Sequence, residues 1–123
     1  MFDWLANPNR FNRITKKLQP FILFIAVITL ISGLYFGLYD SPKDYQQGDA
    51  VRIMYVHVPS AWLATFLYFS LAISCVFYLV WKHPLADLVS SSIAPIGALF
   101  SALTLVTGSL WGKPMWGTWW VWD

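Results

Sequence analysis

Ser60-Ala-Trp-Leu-Ala-Thr-Phe-Leu-Tyr-Phe-Ser-Leu-Ala-Ile-Ser-Cys-Val-Phe-Tyr-Leu-Val-Trp81 runs for 22 residues without a charge. A helix rises about 1.5 Å per residue, so this run alone crosses the roughly 30 Å hydrocarbon core of a bilayer. It lies within one of three uncharged stretches, at residues 18–39, 53–81 and 88–112. Lipid offers the backbone no hydrogen-bond partner, so only helices or a closed barrel can cross it. Runs this continuous lack the polar–apolar alternation of barrel strands. The pattern predicts an all-α polytopic membrane protein, one membrane domain over residues 1–123 with three transmembrane helices at about 21–38, 60–81 and 88–110.

Composition agrees. Hydrophobic residues make up 58% of the chain, charged residues only 11%, and glutamate is absent. A soluble domain needs about 25% charged residues to cover its surface. The net charge of +2 is spread along the chain, which predicts no nucleic-acid-binding patch. Four cations, Arg10, Arg13, Lys16 and Lys17, precede the first span, as they do in a signal peptide. Its apolar run is longer than a signal's, and no small-x-small cleavage site follows Gly37, so the span is expected to stay attached. Cys75, the only cysteine, lies inside the second span and reads as a packing residue.

Orientation follows from the cations. The amino-terminal four and Lys82 stand against Lys43, Arg52 and Lys113, a split of five to three. The positive-inside rule then puts the amino terminus in the cytoplasm. Three crossings leave the 39–57 loop and the carboxyl-terminal tail together on the outer side.

That tail is Trp111-Gly-Lys-Pro-Met-Trp-Gly-Thr-Trp-Trp-Val-Trp-Asp123, with five tryptophans in thirteen residues. Indole carries a large, rigid apolar face and one N–H donor. Trp111, Trp116, Trp119, Trp120 and Trp122 packed together suit either a platform for a flat aromatic ligand or a belt at the membrane interface with lipid. Gly112, Pro114 and Gly117 are expected to stop a simple helical continuation there and favour a shaped turn. His57, in Met54-Tyr-Val-His-Val-Pro-Ser-Ala-Trp62, is expected just outside the second span, at the same level as the tail. Pro59 would open that helix and hold Val58 extended. An imidazole in that place is either a haem-iron ligand or an interfacial side chain bonded to backbone or headgroup. His83 lies across the membrane, roughly 35–40 Å away at helical rise, and cannot share an iron with it.

Other features read as packing. Gly33 and Gly37, and Gly97 and Ser101, are small-x-x-x-small pairs that let helices approach. Pro95 is expected to kink the third span. The sequence has no cysteine cluster, carboxylate pair, Ser-His-Asp set or phosphate loop, and the chain is expected not to be an enzyme. No Asp, Glu, Lys or Arg lies within the spans, which weakens a channel or transporter reading.

The tail, His57, Asp44-Tyr-Gln-Gln-Gly48 and Ala94-Pro-Ile-Gly-Ala98 resemble the tryptophan-rich haem-handling proteins of bacterial cytochrome c maturation, and most nearly the haem exporter protein C family. The likeness runs from about Tyr45 to Asp123. It implies a multi-pass protein of the bacterial inner membrane with a periplasmic tryptophan motif over residues 111–123. It further implies haem b held as cargo, His57 as an axial ligand to the haem iron, and a platform formed by Trp111, Trp116, Gly117, Trp119, Trp120, Trp122 and Asp123. Haem would pass to a periplasmic haem chaperone, beside the subunits of an ATP-driven transporter. The family has six spans and a second axial histidine in a later periplasmic loop. This sequence stops after three spans, which predicts a fragment, a truncated gene product, or a half that assembles with a separate half. Against haem delivery stands a structural membrane protein whose tryptophans only anchor it.

Overall fold

The computed structural model describes residues 7–122, and in it three long helices stand where the apolar runs lie. Helix α1 (Pro8–Leu34) continues through a wide π-helical turn, Tyr35–Asp40. A 3-10 turn, Asp49–Ile53, feeds α2 (Met54–Trp81), and α3 (Pro84–Trp116) follows after a two-residue link. Each continuous helical stretch, Pro8–Asp40, Asp49–Trp81 and Pro84–Trp116, is 33 residues long. At helical rise that is about 50 Å, well beyond the ~30 Å hydrocarbon core, so the ends project through the headgroup layers. The expected spans are therefore present but are only the apolar middles of longer helices. Among the described residues the fold is all-α, with one isolated bridge, Asp44 to Gly48.

Local chemistry explains the ends. The Asn7 side chain accepts the N–H groups of Asn9 and Arg10 at 3.0 and 3.4 Å, and Pro8 takes the first position of α1, where no donor is needed. Lys82 adopts a left-handed conformation (φ 52°) that closes α2. The His83 imidazole then caps α3, accepting the Leu85 N–H at 3.2 Å.

Two expectations fail at prolines. Pro59 does not open α2: the helix already starts at Met54, and Val58 is helical rather than extended. The segment upstream is held by tertiary contacts that outweigh one lost backbone bond. Val51 is buried, Arg52 Nη2 donates to the Ser41 carbonyl at 3.0 Å, and the Ser41 hydroxyl donates to the Gly37 carbonyl at 2.6 Å. Likewise Gly112 and Pro114 do not end α3, which runs on to Trp116. Termination waits for Gly117, whose positive φ of 79° and N–H bond to the Lys113 carbonyl (2.9 Å) form a left-handed cap.

Helices α2 and α3 form an antiparallel pair packed along their length. Helix α1 meets them mainly at its ends. Near the tail, Gly37 sits against Tyr55 so closely that a Cβ on it would lie 2.9 Å from the Tyr55 Cβ. At the other end, Pro8, Phe11 and Asn12 share a cavity with Leu85, Leu88 and Val89. Of the Gly33/Gly37 pair only Gly37 makes a close approach, since Gly33 has open space where a side chain would be. Between its ends α1 leaves Phe21, Phe24 and Ile25 exposed, as befits a helix surrounded by lipid.

Candidate functional site

The tail end of the α2–α3 pair gathers the chemically distinctive residues. His57, in the first turns of α2, is half-buried against α3. Its Nδ1 lies 3.0 Å from the Thr107 Oγ1. Thr107 donates its single hydroxyl proton back to the Leu103 carbonyl at 2.6 Å, with the Thr104 carbonyl at 3.3 Å. The imidazole edge also meets Gly108, where a Cβ would stand 3.1 Å from the His57 Cε1. One turn on, the Trp111 ring meets the imidazole edge-on, with centroids 5.7 Å apart and planes at 60°. The Trp111 indole N–H donates to the Gln47 Oε1 at 2.9 Å, tying the loop after α1 to α3. Three successive contacts on one face of α3 thus hold a single imidazole.

Beyond the Gly117 cap the chain folds back over the end of α3. Gly112 makes this possible: it is buried, and a Cβ there would lie 3.4 Å from the Thr118 carbonyl and 3.5 Å from the Trp116 ring. Lys113 Nζ donates to the Gly117 carbonyl at 2.9 Å and lies 5.8 Å from the Trp119 ring centroid, bracing the turn. The result is an open cavity of about 350 Å³ lined by His57, Gly108, Gly112, Trp116, Trp119, Trp120 and Val121 among others. Its walls are mostly indole and aliphatic surface.

The tryptophans expected to pack as one group divide into three. Trp116, Trp119 and Trp120 line the cavity with His57. Trp111 stands behind the imidazole and lines no part of that cavity. Trp122 is 92% exposed and meets the Trp120 ring edge-on at 5.5 Å. Gly117 shapes the turn rather than the wall, and Asp123 lies outside the described residues. His83 is at the far end of the bundle, occupied as a helix cap. Among the described residues no group of three or more His, Cys and Asp side chains is placed to hold a metal ion.

Sequence reasoning did not single out Thr107 or Gly108, and it met Gln47 only within the Asp44–Gly48 stretch that carries the resemblance, without a role. Gly108 and Gly112 repeat the small-x-x-x-small spacing already noted at Gly33/Gly37 and Gly97/Ser101, and this pair was the available signal. The contacts of Thr107 and Gln47 had no local signal, because their partners are 50 and 64 residues away.

Comparison with known proteins matches the sequence to a family. The family model for heme exporter protein C covers residues 1–123. Heme exporter protein C of Bradyrhizobium diazoefficiens is 51% identical over 119 residues, 97% of this chain and 45% of the relative. That of Haemophilus influenzae is 51% identical over 126 aligned residues, all of this chain and 51% of the relative. That of Escherichia coli strain K12 is 46% identical over 119 residues, 97% of this chain and 49% of the relative. The chain spans about half the length of the curated relatives it matches. It belongs to the heme exporter protein C family.

Proposed function

We propose that this chain binds haem b as cargo at the tail end of its bundle and delivers it for cytochrome c maturation. The carrying observation is the shared cavity: one imidazole and three indoles, Trp116, Trp119 and Trp120, line the same wall. These residues fit the group. A macrocycle needs flat apolar contact, which indole supplies, and its iron needs a neutral nitrogen, which His57 can offer through Nε2. The indole N–H groups of the three wall tryptophans donate to no described residue, so they remain available to propionates. At about 350 Å³ the cavity is at the small end of the ~300–1,000 Å³ range of small-molecule sites and covers only part of a macrocycle. Partial cover and one imidazole suit cargo that must leave.

In this reading the tail end faces the periplasm and the amino terminus the cytoplasm of a bacterial inner membrane. A small periplasmic haem chaperone receives the cargo, and the subunits of an ATP-driven transporter stand beside the chain. The protein supplies binding and orientation, and makes or breaks no covalent bond of its own.

A second reading, in which the tail is only an interfacial anchor, is favoured by one residue. Trp122, almost wholly exposed, is placed as a headgroup-level tryptophan would be. The two readings separate in the Trp119→Ala/Trp120→Ala double variant, with haem content measured by Soret absorption of the purified chain. Loss of the two faces should weaken haem retention by about 1–3 kcal/mol each while membrane insertion, carried by the three spans, is unchanged. Unchanged haem content would leave the tryptophans as anchors.

A further inference from the structure

We propose that Thr107 is a positioning residue: it fixes His57 in the Nδ1–H tautomer and so leaves Nε2 as the nitrogen that takes iron. The inference rests on the haem-binding reading above. It begins with proton counting. A threonine hydroxyl has one proton and two lone pairs, and a carbonyl can only accept. The 2.6 Å contact to the Leu103 carbonyl claims the Thr107 proton. Toward His57, at 3.0 Å, Thr107 can then only accept, so the bonded ring nitrogen carries the hydrogen. In a neutral imidazole the other nitrogen, Nε2, must hold the lone pair. Nε2 has no hydrogen-bond partner among the described residues.

The surroundings make the choice firm. Turning the ring over would exchange Nε2 with Cε1, bringing Nε2 onto Gly108, and would take Nδ1 away from Thr107. Trp111 blocks sliding along the helix. Moreover, donation of the hydroxyl proton to Leu103 polarises Oγ1 and makes it a better acceptor, since linked hydrogen bonds strengthen one another. The Nδ1–H···Oγ1 bond in turn raises the basicity of Nε2, the usual effect of an outer acceptor on a ligating histidine. The free neutral histidine side chain prefers the opposite tautomer, with the hydrogen on Nε2, so Thr107 works against an intrinsic bias.

The test needs a readout independent of haem. Nitrogen-15 NMR of the imidazole, in the chain in detergent well above the imidazole titration range, reports which nitrogen bears hydrogen. The wild-type chain and Thr107→Ser should show hydrogen on Nδ1 of His57, and Thr107→Val should shift it toward Nε2. With haem added, Thr107→Val should bind about 10–100-fold more weakly and show a lower iron–histidine stretching frequency, with Thr107→Ser restoring both. Hydrogen on Nε2 in the wild-type chain, or a tautomer indifferent to Thr107→Val, overturns the proposal. A wild-type Nδ1–H tautomer together with haem spectra unchanged in His57→Ala would instead overturn the haem-binding reading, while the tautomer assignment stands.

Discussion

Replacing Gly108 by alanine should weaken haem binding while leaving overall stability nearly unchanged, and that separation makes it a sharp probe of the site. On propensity alone, glycine to alanine inside a helix gains about 0.5–1 kcal/mol. The new methyl, however, would stand 3.1 Å from the His57 Cε1, when carbon atoms prefer about 3.5–4.0 Å. The ring must yield by a few tenths of an ångström. It is braced by Trp111, so the displacement falls on the 3.0 Å bond to Thr107, an ordinary N–H···O length that a few tenths of an ångström would take past the usual range. Losing that bond costs about 1 kcal/mol of folding stability, which offsets the helix-propensity gain. It also removes the acceptor that orients the ligating imidazole, which predicts haem binding about 10–100-fold weaker, as for Thr107→Val. Gly33→Ala is the matched control, since nothing lies within 4 Å of its added methyl. Haem affinity is read by Soret titration in detergent, and helix stability by circular dichroism on heating. Expected for Gly108→Ala is a melting temperature close to wild type with weaker haem binding. Wild-type affinity in Gly108→Ala would refute the close packing of α3 on the imidazole as a determinant of the site.

Two further outcomes follow from the fold. Gly37→Ala places a methyl 2.9 Å from the Tyr55 Cβ, which is fixed to backbone and cannot swing aside, so it should destabilise the chain by about 1–3 kcal/mol in thermal unfolding. An unshifted melting curve would mean that α1 does not dock there. For orientation, a reporter active only in the periplasm, fused after Asp123, should be active, and one inserted at Lys82 should not. The reverse pattern would turn the cavity toward the cytoplasm and remove the route to a periplasmic recipient.

The three helices were legible because uncharged runs of twenty or more residues have few alternatives in lipid. The details of the site were much less so. Exposed and packed faces of a membrane helix are both apolar, so hydropathy does not say which face of α3 meets α2. The Thr107–His57 and Gln47–Trp111 contacts depend on that register across long sequence separations. Pro59 and Pro114 misled for a related reason: local rules locate a helix end only where tertiary contacts do not override them. Arg52, Ser41 and Gly37 override them before α2, and the Lys113 clamp on Gly117 carries α3 past Pro114. Splitting Trp111 from the other tryptophans was beyond composition, since five indoles close in sequence give no hint that one faces backwards.

The most direct test of the central claim is ferric haem titrated into this chain in detergent, followed by absorption and electron paramagnetic resonance, beside His57→Ala. Among the described residues one imidazole stands at the tail end, so a single copy can give the iron only one. Expected is a weak, high-spin or mixed-spin complex with water as the sixth ligand, lost in His57→Ala. Tight low-spin binding that persists in His57→Ala would contradict it.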